Sequence, residues 1–160
     1  WRVVGIVKGA KKVVYVDMDN VLVNFQSGID QLPENIKAEY EGRYDEVEGI
    51  FSLMEPVNGA IESVLALCEK YEVYILSTAP WNNPSAWSDK LLWIQKYFGK
   101  GEENPLYKRV ILSHNKNMNI GDYLIDDRTK NGAGEFQGEL VLFGSQEYPN
   151  WNAVCKYLGV

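Results

Sequence analysis

Six polar side chains sit at or just beyond the ends of short apolar runs in this 160-residue sequence: Asp17, Asp19, Thr78, Lys116, Asp126 and Asp127. Asp17 and Asp19 close the run YVDMD two residues apart, a spacing that lets both side chains reach one site. A carboxylate can attack phosphorus to give an aspartyl phosphate. A second carboxyl beside it can protonate the leaving oxygen and later activate water. The Lys116 ammonium and the Thr78 hydroxyl add a positive charge and a donor, which is what a phosphoryl group needs while charge moves over its oxygens. Carboxylates converging on one rim do not all stay ionised without a cation. Hard oxygen donors suit Mg²⁺, and the cluster of Cys and His that zinc favours is missing, since the chain has one His and two Cys. Each residue alone has an ordinary reading: a turn or capping carboxylate, a solvated loop lysine, a strand-end hydroxyl with Ser77 beside it.

The elements that would deliver these groups follow from patterning. Val13–Val16, Glu72–Ser77, Arg109–Leu112, Tyr123–Ile125 and Leu140–Phe143 are β-branched or aromatic runs of the length of buried strands. Between them lie helical patterns. Val57–Lys70 is expected to bury Val57, Ile61, Val64, Leu65 and Cys68. A second helix starts at Pro84 with Asn83 as cap, repeats Trp87, Leu91, Ile94 and Phe98, and stops at Gly99. Asn150–Leu158 closes the chain as a helix. Strands alternating with helices predict an α/β fold with a parallel sheet covered by helices on both faces. Such sheets bind ligands beyond the carboxyl ends of their strands, which is where the six residues fall. The alternation breaks between the first two strands, so residues 29–56 are expected to be a small helical cap on a core of residues 11–28 and 57–160. Trp87 and Trp93 are expected to pack, and Trp81 to lie near the rim.

Composition narrows the partners. A net charge of −6 argues against a nucleic-acid polymer, whose phosphates call for a basic face, but leaves room for one small phosphate ester. No apolar run reaches transmembrane length, so the reading is a cytoplasmic protein with no membrane partner, a monomer or homodimer. Cys68 and Cys155 read as free thiols in apolar helical patterns. Trp1–Ala10 lacks an initiator Met and a signal-peptide cleavage pattern, and reads as a remnant of expression or a short extra strand.

The four polar segments together resemble the motifs of the haloacid dehalogenase (HAD) superfamily of phosphatases. Asp17-Met18-Asp19-Asn20-Val21 resembles motif I, Thr78 in ILSTAP motif II, Lys116 in SHNKN motif III, and Asp126-Asp127 in YLIDDR motif IV. Within the superfamily, DMDNVLVNF, STAP and the ten-residue interval from Lys116 to Asp126 are similar to the 5′(3′)-deoxyribonucleotidase branch, over about Val13 to Phe143. The resemblance implies a Rossmann-like core with a small helical cap and a phosphatase whose nucleophile is Asp17 and whose acid/base is Asp19. It implies Mg²⁺ held by Asp17, the Asp19 backbone carbonyl and Asp127, with Asp126 close by. It also implies a nucleoside monophosphate as substrate, with Phe25 against the base or sugar, Phe51 on the cap side, and Thr78, Ala79, His114 and Lys116 around the substrate. The sequence departs from the branch in four places. Asn20 stands for a frequent Gly, at a turn whose left-handed backbone Asn tolerates. Asn24 stands for Asp, Ala79 for Ser, and His114 for an Arg of some relatives. The cap is also shorter than in animal enzymes. These changes leave the phosphoryl chemistry whole but keep two further readings open: a phosphatase for a sugar phosphate or other small metabolite, and a non-catalytic module that binds Mg²⁺ or phosphate, a receiver-type phosphoacceptor domain included.

Overall fold

The computed structural model describes residues 10–160, so residues 1–9 and the reading given to them lie outside it. Along the chain come strand β1 (Val13–Val16), a two-residue strand β2 (Val23–Asn24), helices α1 (Phe25–Ile29) and α2 (Glu34–Glu39), and strand β3 (Glu55–Pro56). Helix α3 (Ala60–Lys70), strand β4 (Glu72–Ser77), helix α4 (Pro84–Phe98) and strands β5 (Val110–Leu112), β6 (Tyr123–Asp126) and β7 (Glu139–Leu142) follow, and α5 (Trp151–Leu158) closes the chain. Five strands form one parallel sheet in the order β5-β4-β1-β6-β7. The order reverses direction at β1, whose neighbours are β4 and β6. The crevice beyond the carboxyl ends of β1 and β6 is therefore the topological switch point, where ligands of such sheets bind.

Strand alternation divides the core into two layers. Val14, Val16, Val73, Ile75, Ile125 and Val141 face a large apolar cluster that includes Val64 and Leu67 of α3, Trp93 and Ile94 of α4, and Val154 and Leu158 of α5. Tyr15, Leu76 and Leu124 face a smaller cluster with Ala133 and Phe136. The two faces are covered unequally. The long α-helices supply the first layer, while the second is met by 3₁₀ turns at Lys116–Met118 and Ala133–Glu135. Tyr15 fills that thinner side, with its ring edge-on to Phe136 at 5.9 Å and its hydroxyl donating to Ile120 O at 2.6 Å.

Two helices are rotated relative to their sequence reading. In α3 the buried stripe runs through Ala60, Val64 and Leu67, and Leu65 is 43% exposed. In α4 the buried positions are Ala86, Lys90, Trp93 and Ile94, while Leu91 is 45% exposed. The second rotation brings a lysine into the core. Cys68 and Cys155 are free, as read, and half-buried; burial pushes the Cys68 thiol up to about 11. No helix among the described residues is long and apolar enough to cross a membrane.

Residues between β2 and β3 make a small helical layer, with α2 and 3₁₀ turns at Tyr44–Glu46 and Ile50–Ser52. The chain leaves and rejoins the core through the antiparallel β2–β3 pair. Gly28 of α1 lies so close to this layer that a Cβ would meet Met54 Cγ at 2.9 Å and Ile50 O at 3.2 Å. Asn83 fixes the other side. It occupies the N-cap position of α4 but makes no side-chain cap bond. Its amide instead donates to Asp45 O and Val47 O, both at 2.9 Å, and accepts from Ser85 Oγ at 2.6 Å. Asn83→Ala leaves those carbonyls unpaired at a buried position, so its urea unfolding free energy should fall by about 1–3 kcal/mol. An unchanged unfolding midpoint would contradict this role.

Candidate active site

The site begins with a tight turn after β1. Asp17 N donates to Ile125 O at 2.9 Å, which continues the sheet by one residue. Val21, Leu22 and Val23 then all donate to Met18 O, and Asn20 N donates to Val23 O at 2.8 Å. This folding-back requires a left-handed residue, and Asn20 supplies it with φ of 61°. Asn24 accepts from Ser27 N and so caps α1. Trp151 Nε1 of α5 donates to Val21 O at 2.8 Å, and Val57 N to Leu22 O at 2.7 Å. The turn is thus held by two segments distant from it in the chain.

Below the turn, Lys116 Nζ donates to Asp17 Oδ1 at 3.0 Å and to Asp126 Oδ2 at 2.5 Å. All three side chains are almost wholly buried. The Lys116 segment is clamped from below, since Lys116 N donates to Asn131 O at 2.8 Å. The next residue, Gly132, has φ of 82°, and a Cβ there would stand 2.9 Å from Lys116 N. Asp126 Oδ1 accepts from Arg128 N at 3.0 Å. Thr78 Oγ1 donates to Ser113 O at 2.8 Å, which ties the end of β4 to the end of β5.

Carboxylate oxygens of Asp17, Asp126 and Asp127 all lie within 4.8 Å of one another. Such crowding shifts their protonation. Burial pushes the Asp17 carboxyl up, against the pull of Lys116. Burial, with the charges of Asp17 and Asp126, lifts Asp127 to about 7. Burial alone would lower Lys116, but its two carboxylate partners hold it above the usual lysine range. Asp127 Oδ1 is buried and has no hydrogen-bond partner, the one such side-chain atom among the described residues. An orphaned oxygen beside two more carboxylates fits a hard divalent cation such as Mg²⁺. The Asp19 carboxylate is outside this group of three and turns the other way.

Lys90 explains where Asp19 points, and it was missed in the sequence. Its side chain is fully buried. Its ammonium donates to Asp19 Oδ1 at 3.1 Å, Ser77 Oγ at 2.7 Å and Thr78 O at 3.1 Å, and sits 4.6 Å from the Phe51 ring centroid. Burial nonetheless leaves the Asp19 carboxyl above its ordinary range. The available signal was the spacing of Ala86, Lys90, Trp93 and Ile94, a helical stripe with a cation in it.

Above these groups opens a cavity of about 650 Å³. It is lined by Asp19, Thr78 and Asp127 on the floor, by Phe25 with Tyr44 and Asp45 of the small helical layer, and by Trp81 and His114. Asp17, Lys116 and Asp126 lie just beneath. Three expected substrate contacts do not line the cavity: Lys116, which is 3% exposed, and two more. Phe51 is 2% exposed and lies off the cavity wall, edge-on to Phe25 at 5.7 Å and against Lys90. Ala79 is fully buried and also off the wall.

Comparison with known proteins follows the same line. Residues 26–153 match the family described as 5′ nucleotidase, deoxy (pyrimidine), cytosolic type C protein. The chain is 58% identical over 151 residues to a Vibrio phage KVP40 protein assigned by inference as a 5′(3′)-deoxyribonucleotidase, covering 94% of this chain and 86% of that one. It is 30% identical to the 5′(3′)-deoxyribonucleotidase of Bacillus subtilis, covering 92% and 94%. Among solved structures, a HAD-type hydrolase of Bacillus subtilis bound to magnesium shares the fold, with a TM-score of 0.59 and 14% identity over 94% of this chain and 99% of that one.

Two measurements probe the electrostatics. Because burial and crowding raise the carboxyls, the metal-free folded protein holds protons that the unfolded chain releases. Their contribution to stability is full below about pH 4 and is lost as pH rises through about 7. Mg²⁺ should therefore raise the thermal midpoint more at pH 8 than at pH 5, and an equal effect at both would contradict the reading. Lys90→Met removes the charge that orients Asp19, so kcat/KM toward a phosphate ester should drop by about 10²-fold. The unfolding midpoint, measured alongside, separates this loss from misfolding.

Proposed function

The chain belongs to the deoxy (pyrimidine) 5′ nucleotidase family of cytosolic type C and is a hydrolase, and from that premise we propose that it is a Mg²⁺-dependent phosphomonoesterase of (deoxy)ribonucleoside monophosphates. The observation that carries the reading is the buried Asp17–Lys116–Asp126 triad beneath a cavity whose floor holds Asp19, Thr78 and Asp127. An Asp17 oxygen attacks phosphorus in line and the P–O ester bond breaks. The leaving oxygen takes its proton from Asp19, whose raised carboxyl suits that task. The product is an aspartyl phosphate on Asp17. Asp19 then takes a proton from water, the water oxygen attacks phosphorus, the bond to Asp17 breaks, and phosphate departs.

Lys116 offsets negative charge at Asp17 and on the phosphoryl oxygens, and Thr78 orients the phosphate. Asp17, Asp127 and the Asp19 backbone carbonyl would hold Mg²⁺, with Asp126 beside them; when bound, it supplies positive charge that offsets the crowded carboxylates and the phosphate. Residues 29–56 act as a cap on a core of residues 11–28 and 57–160. The β2–β3 pair and the Asn83 bonds support that division. The nucleotide substrate is supported by the names of the phage and Bacillus relatives, and a cytoplasmic location by a human relative named as the cytosolic type, 24% identical.

Asp17→Asn should abolish hydrolysis of a generic phosphate ester in the presence of Mg²⁺, and undiminished turnover would sink the mechanism. For the substrate, kcat/KM for deoxyribonucleoside monophosphates should exceed that for sugar phosphates. If no nucleotide beats the sugars, the nucleotide assignment fails and the small-metabolite phosphatase takes its place.

A further inference from the structure

We propose that Trp81 is a stacking platform for the aromatic base of the substrate, an inference that rests on the nucleotide reading above and adds the residue that recognises the base. The ring is 81% exposed although it stands in the cavity wall. The other described tryptophans are packed: Trp93 and Trp151 are buried at 3% and 1%, and Trp87 is half-buried with Nε1 donating to Pro80 O at 3.3 Å. The described residues leave most of the Trp81 ring uncovered, and a large apolar ring left bare at a cavity is a place for a ligand.

The exposed ring has an aromatic neighbour. His114 meets it at 6.0 Å between centroids with the planes at 72°, and His114 in turn rests on Trp87 at 5.9 Å. This aromatic stack is tied to the phosphate end of the cavity. Trp81 follows Thr78 by three residues, and His114 precedes Lys116 by two. Thr78 Oγ1 donates to Ser113 O, so the two segments are bonded to each other next to the stack. The same two strand ends therefore set both the phosphate position and the ring position.

A planar heterocycle offers a π-face that Trp prefers, and a bare sugar phosphate has none. Stacking one base on an aromatic side chain is worth roughly ten- to hundredfold in affinity and is tolerant of base identity. Trp81 should thus favour nucleotides as a class without choosing strongly among bases.

The test is steady-state kinetics of the full chain with Mg²⁺, comparing a deoxyribonucleoside 5′-monophosphate with deoxyribose 5-phosphate, which keeps the sugar and phosphate and lacks the base. Trp81→Ala should raise KM for the nucleotide roughly ten- to hundredfold and leave deoxyribose 5-phosphate within about threefold, while Trp81→Phe should retain most of the nucleotide affinity. A wild-type preference for the nucleotide that survives Trp81→Ala overturns the platform and leaves the nucleotide reading standing. Equal losses for both substrates also overturn it and make Trp81 a contact for the cap. A wild type that does not prefer the nucleotide overturns both readings.

Discussion

Lys116 places one ammonium between the carboxylates of Asp17 and Asp126, at 3.0 and 2.5 Å, in a part of the protein that water scarcely reaches. Removing three charges from water is costly, and the ion pairing offsets that cost only while the geometry holds. Much of the surrounding structure serves this requirement. The parallel sheet brings the ends of β1 and β6 side by side, so the two carboxylates arrive from adjacent strands. The turn at Asn131-Gly132 grips the Lys116 backbone from below. One cation does not balance the cluster, however. Asp127 keeps a buried oxygen without a partner and a carboxyl lifted to about 7, an arrangement that a further positive charge would relieve.

Lys90 repeats the device on the other side of the cavity floor. Its ammonium turns Asp19 away from the three-carboxylate group, so two aspartates two residues apart acquire different surroundings and can take different roles. The ring of Phe51 lies over the same ammonium and meets Phe25 edge-on. The orientation of Asp19 is therefore linked, through one cation and two rings, to the small helical layer that closes the cavity.

Much of this was legible in the sequence because parallel strands write their ends plainly. A run such as VVYV followed by Asp-x-Asp has few other meanings once YLIDD, ILST and a preceding lysine occur in order. The switch from strand to helix was equally clear, and the left-handed turn at Asn20 could be anticipated from the residue type. Helix phase was less legible. Leu65 and Leu91 look like core residues by hydropathy, yet both are half-exposed, because α3 turns Ala60, Val64 and Leu67 inward and α4 turns Lys90 and Trp93 toward Phe51 and Met54 of the small helical layer. The same ambiguity hid Lys90, since a lysine in a helix reads as solvated unless its partners are known, and Asp19 and Ser77 are 71 and 13 residues away. Asn83 was read as a helix cap, but the two carbonyls that claim its amide, of Asp45 and Val47, come from the small helical layer. Phe51 was read as a pocket residue because sequence does not tell the wall of a cavity from the layer behind it.

The central claim is that Asp17 itself accepts the phosphoryl group. Quenching the enzyme during turnover, reducing it with borohydride and mapping its peptides by mass spectrometry tests this directly, because an aspartyl phosphate is reduced to homoserine. The account predicts homoserine at position 17 and at no other aspartate, dependent on substrate. Conversion at Asp19, Asp126 or Asp127, or no conversion under conditions where the intermediate accumulates, would contradict it.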